Sequence, residues 1–332
     1  MVREHEGCAV SGRAGRGDGG AAARGSRWWR GVLALLVACA VVVPLVGAAR
    51  ARVPAPGPAV LAEPSAATLG AIYAANRANA LEAARMADAY GDRRRAGADR
   101  ALAGRQLLYF DGRGPGLVTE VLGDLAHADR VAVLVPGSDT GIDTYGRFRA
   151  TALALHERLG TRAAVVAWLG YETPATVGTA VATTDRAEDA APGLREAVDD
   201  LRAVAGPRAR VSLLCHSYGS VVCAEAADGL DADDIALLGS PGTGADTAAA
   251  LHTRARIWAA RGAGDWIGNV PHVSVDLLGT TVGFGTDPVS PAFGARVFAA
   301  GDGGHSDYFA PGSPALANLT RIVLGQTSAV TS

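Results

Sequence analysis

No lysine occurs anywhere in the 332 residues; all 31 basic side chains are arginine. Together with the abundance of alanine, glycine and valine, this marks a GC-rich coding bias, so an arginine-rich surface is weak ground for inferring phosphate recognition. Neither sign of charge dominates. The formal net charge of −2 gives no footing to a nucleic-acid-binding surface or a polyanionic substrate. Cysteine is scarce: Cys8 and Cys39 fall in or before an apolar N-terminal run, leaving Cys215 and Cys223. That pair lacks the clustered four-ligand spacing of a zinc site and is too small for a disulfide framework. With 49% hydrophobic residues, the length suits one large domain plus an appendage, or two modest domains.

What is present begins with an export signature. Arg3, Arg13, Arg16, Arg24, Arg27 and Arg30 outweigh Glu4, Glu6 and Asp18, and Trp28-Trp29 lead into the uncharged stretch 31–49. Ala49-Arg50-Ala51 is a small-x-small cleavage candidate. The run is long for a signal peptide and just long enough to cross a bilayer, for which about 20 residues are typical. Residues 1–52 therefore read as a cleaved signal or a retained membrane anchor, and the basic flank puts the rest of the chain outside in either case. Leu36-Val37-Ala38-Cys39 resembles a lipoprotein box, but the sequence stays apolar from Ala40 to Val46 where a polar tether is normal.

Pro54, Pro56, Pro58 and Pro64 make 53–64 an extended linker that cannot join a packed core. Helical spacing follows over 65–104, interrupted near Gly91, with Ser65 and Thr68 as N-cap candidates; this extension reads as a cap or brace with no catalytic part. Beyond it, strand-like and helix-like segments alternate. Strands are expected at 106–110, 117–122, 130–135, 163–169, 211–215, 235–238, 255–260 and 296–300, and helices at 148–159, 194–204 and 217–227. Such alternation implies an α/β class, with a mainly parallel sheet wrapped by helices over 105–332.

The segment Leu213-Leu214-Cys215-His216-Ser217-Tyr218-Gly219-Ser220 runs from a buried strand through a serine straight into a helix. This is a nucleophile-elbow pattern, in which a sharp turn lifts the serine hydroxyl above the sheet edge. Small residues are needed two positions either side; Gly219 supplies one, and Cys215 replaces the more usual glycine on the other. Serine then needs a base. His216 adjoins Ser217, and neighbouring side chains on an elbow diverge. For an elbow serine the expected chain order is serine, acid, histidine, which leaves His252, His272 and His305. His305 follows the last strand-like run, in Gly301-Asp302-Gly303-Gly304-His305-Ser306-Asp307-Tyr308-Phe309, where glycines free the loop and Tyr308-Phe309 can anchor it. His272 is the reserve. Asp265, in a glycine-rich loop after 255–260, is the favoured acid, with Asp287 of Gly285-Thr286-Asp287-Pro288 as its rival. Backbone amides of Tyr218 and Ser138 are the expected oxyanion donors, although 135–141 fits an ordinary strand-ending turn almost as well. Tyr145, Trp168, Tyr171 and Phe284 are wall or core candidates. A Cys215–Cys223 bridge is not expected, since one lies low on the strand and the other about two helical turns onward.

The pieces at 122–138 (L-G-D-L-A-H-A-D-R-V-A-V-L-V-P-G-S), 215–220 (C-H-S-Y-G-S), 262–267 (G-A-G-D-W-I), 284–288 (F-G-T-D-P) and 304–309 (G-H-S-D-Y-F) give the chain a resemblance to the α/β-hydrolase superfamily. More narrowly it resembles an uncharacterised exported family from high-GC actinobacteria. The resemblance covers roughly residues 105–325 and implies the fold and a Ser217–Asp265–His305 triad, but no substrate. The resulting expectation is an exported serine hydrolase acting on a small-molecule or lipid-like ester. It would need no metal and no organic cofactor, bind no nucleic acid, and attach to a membrane, if at all, through 31–49. A cell-envelope amidase or peptidase, and a binding member of the fold without turnover, are the alternatives.

Overall fold

The computed structural model describes residues 53–176, 183–270, 275–277 and 280–332. The expectations for 1–52, Cys39 included, and for His272 lie outside these residues. Helices α1 (Leu69–Tyr90) and α2 (Arg93–Leu102) precede the sheet. Strands β1 (Gln106–Asp111), β2 (Leu117–Leu122) and β3 (Arg130–Val135) lead to α3 (Tyr145–Leu159), β4 (Ala163–Leu169) and α4 (Asp185–Ala205). Then come β5 (Arg210–His216), α5 (Gly219–Ala226), β6 (Asp234–Leu238) and β7 (Arg256–Ala260). A separate two-stranded pair, β8 (Val275–Leu277) and β9 (Thr280–Val282), precedes β10 (Arg296–Val297) and α6 (Pro314–Val323).

The main sheet has eight strands in the order β1-β2-β4-β3-β5-β6-β7-β10. Pairing is antiparallel from β1 through β2 to β4 and parallel from there on. The apolar runs of β3 to β7 are continuous because both faces are covered. Val131, Val133, Leu213, Ile235 and Ile257 pack with α4 and α5 on one side. Ala132, Leu134, Leu214, Ala236 and Trp258 pack with α3 and α6 on the other. After β3 the chain moves outward to β4, then crosses back to β5 on the far side of β3. That reversal opens a crevice beyond the C-terminal ends of β3 and β5, where open α/β sheets place their ligands.

The helical extension is a brace. The buried amide of Asn76 donates to the Leu107 and Leu108 carbonyls at 3.1 and 2.9 Å, just where the β1–β2 register shifts. Linker residues 53–64 form no helix or strand, yet they are not detached from the body. Ala55 packs against the α3-side core, and Asn79 donates to the Gly57 carbonyl at 3.0 Å. Proline forbids helix and sheet pairing, but not side-chain contact. Helix α4 begins at Asp185, nine residues before the expected start, and carries Pro192 internally. One proline removes one backbone bond, while Ala187, Ala190, Ala191, Leu194, Val198 and Leu201 keep a continuous buried stripe. Helix α6, capped by Ser313 with Pro314 in its first turn, was not anticipated, and the strand expected at 296–300 is confined to β10.

Cys215 and Cys223 form a disulfide, with Cα atoms 6.4 Å apart, contrary to the sequence-based expectation. The error lay in counting residues rather than distance. Two strand residues below the turn amount to about 6.6 Å, at about 3.3 Å per residue. From Gly219, where α5 begins, Cys223 is four helical steps on, about 6 Å at about 1.5 Å each. Because the turn folds α5 back alongside β5, both cysteines end at nearly the same depth.

The bridge closes a short loop of sequence separation 8 around the serine turn. Replacing Cys223 by alanine is expected to lower the unfolding free energy by about 2–3 kcal/mol, read from denaturant melts under non-reducing conditions. A variant as stable as the wild type would show that the bridge does not constrain the chain.

Candidate active site

Strand β5 delivers Ser217 to a turn in which its φ is 54°, a left-handed conformation that costs a serine about 1–3 kcal/mol. Its amide is fixed to the Leu238 carbonyl of β6 at 2.9 Å, and its own carbonyl accepts from Ser220 Oγ at 2.6 Å. Helix α5 starts at Gly219, so close to β3 that a Cβ there would sit 2.5 Å from the Val135 oxygen and 2.6 Å from that of Pro136. Only glycine fits. These constraints leave the serine side chain projecting from the C-terminal edge of the sheet into the crevice.

His305 arrives from the loop after β10. Its Nε2 lies 2.9 Å from Ser217 Oγ, and its Nδ1 lies 2.9 and 3.1 Å from the two oxygens of Asp265. A carboxylate accepts, so Nδ1 carries the proton and the Nε2 lone pair faces the hydroxyl. Asp265, its side chain fully buried, follows β7 and caps a short turn by accepting from the Ile267 amide at 2.9 Å. Its other oxygen accepts from the Tyr308 hydroxyl at 2.5 Å, and that hydroxyl accepts from the Gly262 amide at 3.2 Å. Burial, and then the bond to Asp265, raise the Tyr308 pKa well above that of a free phenol. Gly239, at φ 53°, makes this approach feasible: a Cβ there would lie 2.7 Å from Asp265 Oδ2 and 3.1 Å from His305 Nδ1.

Asp287, the rival acid, lies elsewhere. It holds Arg261 at 2.6 Å and accepts from the Val289 amide at 3.1 Å, fixing the turn of which Asp-Pro was the sign. His252 caps a 3₁₀ turn, and His127 pairs with Asp124 on the surface. His216 does not reach Ser217 Oγ in its contacts, as expected of a divergent neighbour. Its Nε2 instead lies 2.6 Å from the His305 carbonyl oxygen, a contact with no signature in the sequence. Desolvation first, and the neighbouring His305 second, push the His216 pKa down to about 4.

The loop after β3 meets the elbow. A Cβ on Gly137 would fall 2.6 Å from Ser217 Cβ and 3.1 Å from Oγ, so this loop packs directly on the elbow, and Ser138 follows on the wall of the same cavity as Ser217. Tyr171 donates to the Pro136 carbonyl at 2.6 Å, and Thr140 and Thr173 exchange two hydrogen bonds, which fix this loop. Neither the Tyr218 nor the Ser138 amide donates to another described residue. Both residues line a cavity of about 1220 Å³ that also exposes Ser217 and His305. Its walls are mainly apolar, with Leu134, Phe148, Ile267, Phe284 and Phe309 among them. Of the four aromatic wall candidates only Phe284 lines it. Tyr145, Trp168 and Tyr171 are core side chains, buried in the two packed layers. Trp266, half exposed, contributes a rim ring 4.8 Å from that of His305. Among the described residues no group of three or more His, Cys, Asp or Glu side chains could hold a metal ion.

Residues 111–275 match a family described as alpha/beta hydrolase. Two uncharacterized proteins of Mycobacterium tuberculosis, one from strain CDC 1551 / Oshkosh and one from strain ATCC 25618 / H37Rv, are each 30% identical over 261 residues. Each match covers 68% of this chain but 39% of the relative, so the chain spans well under half the length of these proteins. Among solved structures, esterase PE8 is 17% identical with a TM-score of 0.44, covering 63% of this chain and 98% of that one. An α/β serine hydrolase without lid from Xanthomonas campestris is 18% identical with a TM-score of 0.39, covering 65% and 91%. With the parallel sheet, the strand–elbow–helix unit and the sequence match of 111–275 all pointing the same way, the chain belongs to the α/β-hydrolase superfamily.

Proposed function

We propose that the protein is an exported serine hydrolase that cleaves a carboxylic ester through an acyl-enzyme. The observation that carries this reading is the unbroken hydrogen-bonded series Ser217 Oγ–His305–Asp265 on the wall of the apolar cavity. In this mechanism Ser217 Oγ attacks the ester carbonyl carbon as its proton passes to His305 Nε2. The oxyanion is held by the amides of Tyr218 and Ser138, each such donor being worth about 3–4 kcal/mol. Collapse breaks the bond to the alcohol oxygen, which leaves with the proton from Nε2. Water then attacks the acyl-enzyme, giving a proton to His305, and the acid departs as Oγ recovers it. Asp265 keeps the imidazole in the Nδ1–H tautomer and stabilises the imidazolium without taking the proton.

Cavity shape supports a lipid-like or otherwise apolar acyl ester. Small-molecule sites commonly span about 300–1,000 Å³, and about 1220 Å³ leaves room for more than a short acyl group. Export is supported by the basic, then apolar N-terminal pattern, and by a disulfide, a bond rare where thiols are kept reduced.

A fluorophosphonate probe should label the wild type and leave Ser217→Ala unlabelled, with ester kcat falling by about a millionfold; normal labelling of the variant would refute the nucleophile. Asp265→Asn, which offers the imidazole a donor in the wrong place, should cut kcat by about 10⁴, whereas Asp287→Asn should leave kcat near wild type. The reverse ranking would transfer the acid's role to Asp287. On a panel of aryl esters of increasing chain length, kcat/KM should rise beyond butyrate. Faster turnover of aminoacyl anilides than of any ester would favour an envelope amidase or peptidase instead.

A further inference from the structure

His216 ends β5, where it is paired in register with Leu238 of β6, and the next residue is Ser217. Its ring stands 4.7 Å from that of His305 and 5.7 Å from that of Tyr308, measured between centroids. Nε2 lies 2.6 Å from the carbonyl oxygen of His305; since that oxygen can only accept, Nε2 carries the proton and donates. The loop bearing His305 has other ties. Ala263 donates to the Gly301 carbonyl, the Gly304 amide donates to Asp307, and Tyr308 reaches Asp265. None of these grips the main chain of His305 itself. Among the described residues, His216 alone makes a hydrogen bond to it.

We infer that His216 is a positioning residue, whose imidazole ties the rigid end of β5 to the His305 backbone and thereby sets the distance between hydroxyl and base. The inference rests on the reading of Ser217 and His305 as nucleophile and base. With Gly301, Gly303 and Gly304 just before it, the loop has little stiffness of its own. One bond from the residue beside the serine therefore makes both partners move together. Its low pKa keeps His216 neutral near pH 7, so no positive charge stands against the ring that must briefly become cationic.

The test compares His216→Phe, which keeps a ring but loses the donor, with His216→Gln, which retains one, in steady-state hydrolysis of an aryl ester. The phenylalanine variant should lose about 10- to 100-fold in kcat, with KM within about threefold, and glutamine should recover most of the loss. Thermal melts establish that both are folded; if the phenylalanine variant is not, His216→Asn, whose shorter amide falls short of the carbonyl, replaces it. Wild-type kcat without the donor, or equal losses in the two variants at matched stability, would overturn the positioning role and leave the Ser217 reading standing. A wild type that neither labels with fluorophosphonate nor hydrolyses any ester would instead remove the reading, and this inference with it.

Discussion

Helix α5 presses on the end of β3 with no side chain between them, and this backbone contact governs the geometry of the whole crevice. The Gly219 Cα lies where any Cβ would meet the Val135 and Pro136 oxygens. To let the helix come so near, the chain must reverse within one residue, and that residue is Ser217 in a left-handed conformation. The strain is local and the compensation is spread around it. The Ser217 amide and carbonyl both have partners, and the Cys215–Cys223 bridge joins strand to helix below the turn. A serine placed on an ordinary β-turn would be free to relax to negative φ, and its hydroxyl would not hold one direction.

On the other side of the crevice, order is imposed on loops that have little order of their own. Glycines at 239 and 262 are needed for proximity rather than for mobility. A Cβ at 262 would fall 2.1 Å from the Gly303 oxygen, and one at 239 would strike the carboxylate of Asp265. These loops lie against one another because nothing projects between them. Tyr308 then locks them, its hydroxyl bridging the Gly262 amide and Asp265 from a position three residues past His305. Asp265 accordingly accepts from a main-chain amide, a phenol and an imidazole, so the buried charge is satisfied on both oxygens.

Much of this was legible in the sequence, and for identifiable reasons. Continuous apolar runs mark strands buried on both faces, so β3 to β7 were placed nearly to the residue. The Ser217 turn was legible because a strand ran into a helix with small residues, Cys215 and Gly219, two positions either side. Asp265 and His305 were singled out through chain order and glycine loops, and Tyr218 and Ser138 through their places beside the elbow and after β3; His305, Tyr218 and Ser138 line one cavity, while Asp265 is buried and bonded to His305. What could not be read was distance across space. Cys215 and Cys223 looked remote because strand and helix advance at different rates per residue. Tyr145, Trp168 and Tyr171 could be read equally as wall or core, because which of the two a buried aromatic joins depends on what packs above it. The His216–His305 contact joins residues 89 apart in sequence and leaves no periodic trace.

These two halves differ in kind, and the difference bears on how the site can work. The elbow is rigid: it is held by ladder pairing, a helix and a covalent bridge. The imidazole loop has no ladder pairing; it is held by hydrogen bonds and by the burial of Tyr308 and Phe309 in the α3-side core. The proton transfer of the proposed mechanism needs Ser217 and His305 to stay within hydrogen-bond reach while the charge on the ring changes. A base on a loop anchored solely to its acid would follow the acid, and the serine would be left behind. Contacts running from the loop to both β5, through His216, and β7, through Asp265 and Tyr308, tie the imidazole to the sheet on either side of the Ser217–His305 hydrogen bond. The sheet itself, rather than any one loop, is then the frame on which the serine–imidazole distance is kept.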